Sequence, residues 1–190
     1  MTNAHSAISG KNVMLGVSGG IAAYKAAELA SKLAAAGAKV YTVMTENACK
    51  LILPKTFEAL TAMPVFTTMW TEPEDFKIKH VDLAVTADIV VIAPATADII
   101  AKLATGICDD MLTTTLCAAW QKPILIAPAM NDNMWANPIV KKNVRTLEEM
   151  GCKFIGPETG RLACGTEGAI GRMSEPADIL KLLEQMAAKS

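Results

Sequence analysis

The stretch NVMLGVSGGIAAYKAAELASKLAAAG, residues 12–37, runs a strand, a glycine turn and a helix together. NVMLGVS is short, apolar and closed by Gly19-Gly20, as a buried strand is. IAAYKAAELASKLAAA, residues 21–36, carries Ala and Leu at helical spacing, and Gly37 stops it. A strand feeding directly into a long helix is the opening unit of an alternating α/β chain.

The alternation continues toward the C-terminus. KVYTVMT (39–45), DIVVIAP (88–94) and PILIAPA (123–129) read as strands, with a short fourth at 153–155. Helices are expected over about 47–60, 96–106, 109–120, 137–151 and 176–188. The strands are nearly unbroken apolar runs, which belong to a parallel sheet covered on both faces. The expected fold is a single α/β domain, Rossmann-like and doubly wound, with a mainly parallel sheet and helices on both faces. Residues 1–10 read as a flexible tail, and residues 11–190 as the domain, with a glycine-rich flap near 157–173.

In such folds ligands collect at the carboxyl ends of the strands. Ser18-Gly19-Gly20 lies at one such end, where glycines allow close backbone approach and a helix N-terminus favours an anion. The same residues also suit a plain βα turn. Thr45-Glu46-Asn47, Thr96-Ala97-Asp98 and Ala129-Met130-Asn131 lie at three others. The Asn131 amide suits a carboxylate, and Met134 and Trp135 suit an apolar ligand wall or an ordinary core.

His80 is one of two histidines, and the other, His5, lies in the tail. It is either an imidazole base or a hydrogen-bonded helix-start residue. Cys164 sits between Arg161 and Arg172 in the glycine-rich loop and reads as accessible, whereas Cys117 reads as lying on an apolar helix face. Asp109-Asp110 suits a helix start rather than a metal, because adjacent carboxylates on a helix do not face one another. No metal site is expected.

The net charge is -1 and no basic run exceeds two residues, which disfavours nucleic acid as a partner. The most apolar stretch, 89–97, is too short for a bilayer, so no membrane is expected. Five cysteines with no CxxC pair, and no signal peptide, point to a reducing cytoplasm. Hydrophobic residues make up 52%, a surplus that subunit contacts would hide.

Six segments in order carry a resemblance: SGGIAAYK (18–25), KHVDL (79–83), APATAD (93–98), GICDDML (106–112), PAMNDNMW (128–135) and LACGTEGAIGRM (162–173). Together the chain resembles the homo-oligomeric flavin-containing cysteine decarboxylases. The resemblance implies FMN, held by Ser18, Gly19, Gly20, Ile21, Thr45, Glu46, Asn47, Thr96, Ala97, Asp98, Ile99 and Ala129. It implies His80 as base, Cys164 as flap acid, and Asn131, Met134 and Arg172 on the substrate side. Many relatives have PASANT where this chain has Pro94-Ala95-Thr96-Ala97-Asp98-Ile99, which leaves the flavin contact of Asp98 open.

The activity implied is decarboxylation of a small-molecule substrate, 4'-phosphopantothenoylcysteine, in coenzyme A biosynthesis, through a thioaldehyde and an enethiol. A peptidyl-cysteine decarboxylase and a non-catalytic FMN-binding regulatory relative are the alternatives. Assembly into trimers, or sets of trimers, and a synthetase domain or partner are implied with it.

Overall fold

The computed structural model describes residues 6–70, 79–160 and 168–189. Six parallel strands form the central sheet: β1 (Asn12–Val17), β2 (Lys39–Met44), β3 (Val65–Phe66), β4 (Ile89–Ala95), β5 (Ile124–Pro128) and β6 (Lys153–Phe154). Their order is β3-β2-β1-β4-β5-β6, so the winding direction reverses between β1 and β4. Asn12 to Val17 pair with Lys39 to Met44 on one side of β1, and Val13 to Gly16 pair with Ile89 to Ile92 on the other. The doubly wound Rossmann-like expectation holds.

Two apolar layers sandwich the sheet. On one face lie α1 (Ala23–Ala35), α3 (Pro54–Thr61) and α9 (Pro176–Ala187). On the other lie α4 (Lys79–Thr86), α5 (Ala97–Thr105), α6 (Met111–Ala118) and α8 (Pro138–Glu149). Helix α1 buries Ala23, Ala26, Leu29, Ala30 and Leu33, a single stripe at helical spacing. Its alanines let the helix sit close to the sheet, and each buried leucine contributes about 1.5–3 kcal/mol. Leu29→Ala would leave a cavity costing about 2–5 kcal/mol. Gly37 ends the helix at φ +88°, a conformation that its missing Cβ permits.

Four elements differ from the sequence expectation. The helix expected over 47–60 is two helices, α2 (Glu46–Cys49) and α3, because Pro54 forces Leu53 into an extended conformation and then starts α3. Residues 6–10, expected as part of the tail, pack onto the domain. Ser6–Lys11 form turns, Gly10 N donates to Gly37 O, and Ile8 is wholly buried in the apolar layer that includes α1 and α9. Part of the glycine-rich loop is an antiparallel ribbon, β7 (Glu158–Gly160) with β8 (Ala169–Arg172). Cys117 is exposed, not on the apolar face, because α6 buries its 111–112 and 115–116 positions instead.

Candidate functional site

Ser18 ties the two strands at the reversal point together. Its Oγ donates to Pro94 O at 2.7 Å and accepts from Thr96 N at 3.0 Å. Thr96 in turn caps α5, its Oγ1 accepting from Ile99 N. Thr45 caps α2 in the same way, accepting from Ala48 N. Three helix starts therefore converge on the strand ends. Of these three, α1 alone begins without a side-chain cap, at Ala22.

A cavity of about 680 Å³ opens at this place, within the range of a cofactor site. Gly19, Gly20 and Ile21 border it beside Thr96 and Ala129, and Met130, Asn131, Met134 and Arg172 close it. A Cβ on Gly19 would stand 2.4 Å from Asn47 Cβ, and one on Gly20 would stand 3.3 Å from Thr96 Cγ2. The chain is thus packed to its limit along the glycine turn, and only backbone lines that side of the cavity. Methionines 130, 134 and 173 supply a soft apolar wall. A flat aromatic cofactor carrying an anionic arm fits this combination of glycine turn, uncapped helix start and apolar wall.

Asn131 is oriented by its own helix. Its Oδ1 accepts from Asn133 N at 2.9 Å, capping α7 (Asp132–Ala136). Met130 N donates to Gly171 O at 3.0 Å, which fastens the Asn131 loop to the ribbon. Trp135 is half-buried, with the Lys141 ammonium 3.6 Å from its ring centre.

Two charged residues at the cavity are not evident from the sequence pattern. Lys25 lines it, 8% exposed, and its Nζ donates to Glu175 Oε1 at 2.9 Å and to Met173 O at 3.4 Å. Glu175 also takes Arg172 Nη1 at 2.9 Å, and Arg172 Nη2 reaches Glu158 at 2.9 Å. The Lys25 hydrogen bond holds the Glu175 carboxyl below the usual carboxylate range, aided by the Lys25 and Arg172 charges. One signal for Lys25 is present in the sequence: it occupies the buried stripe of α1, where a lysine needs a partner.

The other expected residues stand apart from the cavity. Glu46 points to Lys50, at 2.9 Å, and Asn47 is exposed beside it. Asp98 turns to Lys102 at 3.5 Å, and Lys102 also reaches Asp109 at 3.0 Å. The Ile99 side chain is buried in the core beneath α5, so only its backbone reaches the site. Ala97 begins α5 beside Thr96 and is not part of the cavity wall. Asp110 caps α6 in a capping box with Thr113.

His80 lies in the first turn of α4, on the face of the sheet opposite α1, and does not line the cavity. Cys164 and Arg161 lie outside the described residues. Burial, first of all, pushes the thiols of Cys49, Cys108 and Cys152 above the ordinary cysteine range. Among the described residues no group of three His, Cys, Asp or Glu is placed to hold a metal, and no helix is long and apolar enough to cross a membrane.

Residues 1–188 match the Flavoprotein family. The chain belongs to that family. Over 182 residues it is 50% identical to the coenzyme A biosynthesis bifunctional protein CoaBC of Bacillus subtilis (strain 168), covering 96% of this chain and 44% of that protein. The chain therefore spans less than half the length of this relative. Two solved structures superpose at a TM-score of 0.81. One is a mutant PPC decarboxylase complexed with pantothenoylaminoethenethiol, 32% identical, with 95% of this chain and 99% of that chain covered. The other is the FMN-dependent cysteine decarboxylase SpaF, 33% identical, with the same coverage. In this flavoprotein the glycine turn, the Asn131 loop and the ribbon thus sit within a backbone shared with both.

Proposed function

We propose that this chain binds FMN and decarboxylates 4'-phosphopantothenoylcysteine to 4'-phosphopantetheine, a step of coenzyme A biosynthesis in the cytoplasm. The cavity at the reversal point carries this proposal, because it joins a glycine turn, an uncapped helix start and the oriented Asn131 amide. The 50% identity to a coenzyme A biosynthesis protein directs the choice of substrate. The word bifunctional in that relative's name supports a synthetase domain or partner beside this one.

The cofactor would rest on Gly19, Gly20 and Ile21, with Thr96 and Ala129 behind it and the Ser18–Thr96 pair fixing the strand ends. Thr45, Glu46, Asn47, Ala97, Asp98 and Ile99 would act through the caps and backbone that shape this rim. Bound FMN supplies a two-electron acceptor that is restored within one turnover, so the net reaction is redox-neutral.

The chain's own residues handle binding and protons. Asn131 holds the substrate carboxylate so that the breaking C–C bond aligns with the neighbouring π system. Met134 packs on the pantetheine arm, and Arg172 stands at the rim. His80 takes the proton that leaves the substrate thiol as the thioaldehyde forms. Loss of CO2 leaves an enethiol, and Cys164 returns a proton as it is reduced to the thiol.

His80 does not line the cavity of its own copy, so this reading includes a homo-oligomer. Val81 and Val85 are exposed on α4 beside His80, and Ile21 and Tyr24 are exposed at the cavity rim. Two different apolar patches on one chain suit a head-to-tail contact that closes into a ring, a trimer or sets of trimers. In such a ring His80 of one copy meets the cavity of the next.

Two substrates separate the candidates: 4'-phosphopantothenoylcysteine and a peptide ending in cysteine. CO2 release from the first by the FMN-loaded protein is the expected result. Release from the peptide alone would make the chain a peptidyl-cysteine decarboxylase, and release from neither would leave an FMN-binding regulatory protein.

A further inference from the structure

Glu175 immediately precedes α9, in the position where a side chain ordinarily caps the helix. It makes no such cap. Its carboxylate instead takes Lys25 Nζ and Arg172 Nη1, each at 2.9 Å. Both cations line the cavity. Arg172 lies across Gly160, where a Cβ would stand 2.8 Å from its Nε, and reaches Glu158 on β7 with its other arm. Four groups thus form one chain, Lys25–Glu175–Arg172–Glu158, running from α1 to the ribbon. Two positive charges meet two negative ones.

We propose that Glu175 is a positioning residue that sets the charge of the cavity: it engages Lys25 and Arg172 together and holds the ribbon against α1. This inference rests on the FMN proposal. Arg172 has a second carboxylate in Glu158, but among the described residues Lys25 has only the Met173 carbonyl besides Glu175. Removing the Glu175 charge therefore leaves an uncompensated ammonium, 8% exposed, at the cavity wall. Buried to this degree, the ammonium is poorly screened by water and acts strongly on a nearby anion. A salt bridge that only fastened the ribbon would instead change stability and leave the cavity's preference for anions alone.

Sulfite is a direct probe, because it adds to oxidised flavin and leaves negative charge on the ring. Sulfite affinity is to be titrated by loss of visible flavin absorbance in FMN-loaded protein, for wild type, Glu175→Gln, Lys25→Met and the double variant. Glu175→Gln should bind sulfite at least fivefold more tightly and Lys25→Met at least fivefold more weakly. The double variant, with charge balance restored, should lie within about twofold of wild type. Where Glu175→Gln does not fold, the Lys25→Met result decides alone. Sulfite affinities within twofold of wild type in the FMN-loaded single variants overturn the inference and leave the FMN proposal intact. Wild-type protein that takes up no FMN overturns both.

Discussion

Gly19 and Asn47 approach so closely that a Cβ on Gly19 would stand 2.4 Å from Asn47 Cβ and 3.0 Å from the Asn47 carbonyl carbon. Two of the obstructing atoms, Asn47 C and Cα, are backbone on the α2 helix that Thr45 caps, so the clash has no easy relief. Gly19→Ala should therefore cost about 1–3 kcal/mol of stability as an overpacking substitution. It should also weaken FMN binding at least tenfold, because the displaced turn borders the cavity. Gly20→Ala meets nothing nearer than the Thr96 methyl, at 3.3 Å, and should be milder in both respects. Thermal melts and FMN fluorescence titrations check the order; equal effects would mean that the Asn47 contact does not shape the site.

His80 is proposed for proton transfer although it does not line the cavity of its own copy. His80→Asn should keep FMN bound and lower the rate of CO2 release by about 10²–10⁴-fold, the usual range for loss of a general base. Asn131→Ala should do the same by releasing the substrate carboxylate. If neighbouring copies share a site, subunits of the two inactive variants mixed and reassembled should regain part of the wild-type rate. Each mixed ring would contain an intact pair. No recovery after verified subunit exchange would place His80 and the cavity in the same copy.

The apolar patches make the same assembly testable by size. Val85 is 71% exposed on α4, too open for a core position. Val85→Glu should leave the melting temperature of the subunit near wild type and shift sedimentation toward the monomer. Unchanged sedimentation would remove α4 from the interface.

The fold is legible in the sequence because its strands are short, apolar and bounded by glycine or proline, and periodicity reports that directly. The glycine turn and the Asn131 loop are legible for the same reason, since each comes directly after a buried strand. Periodicity does not report pairing across the chain. Glu175 reads as an ordinary residue before Pro176, yet it meets Lys25 150 residues away. The ribbon is hidden because glycines at 160, 168 and 171 erase the alternation that marks a strand. Ile8 is hidden because one apolar residue in a polar segment carries no period at all. His80 stands out by elimination, but that logic says nothing of which face of the sheet its helix occupies.

Cys164 lies outside the described residues, and its proposed part in the last proton delivery rests on the resemblance of its motif. Cys164→Ser should release CO2 once per bound FMN and then stop, with flavin absorbance bleached and an enethiol product detectable by mass. Multiple turnovers to the saturated thiol would assign the proton to another group. Among the described thiols, Cys49, Cys108 and Cys152 are shifted upward, which suits them poorly to replace it.

The Glu175 network also predicts a pH dependence of stability. The Lys25 hydrogen bond, with the Lys25 and Arg172 charges, lowers the Glu175 pKa in the folded chain below its ordinary value of 4.5. A depressed folded pKa means that folding favours the ionised carboxylate. Its contribution is then fully present above the unfolded value and is lost as pH falls through the folded one. Wild type should therefore melt above Glu175→Gln by a constant margin from pH 6 to 8. The margin should shrink as pH falls below about 4.5 and vanish once the wild-type carboxyl is protonated, since a neutral acid and an amide then offer Lys25 the same charge. Glu175 is partly exposed, 43% at its side chain, so salt should narrow the margin at neutral pH as well. Calorimetric melts of both proteins from pH 3 to 8, at low and high salt, measure this. A margin that persists unchanged at pH 3 would assign the stabilisation to packing rather than to charge.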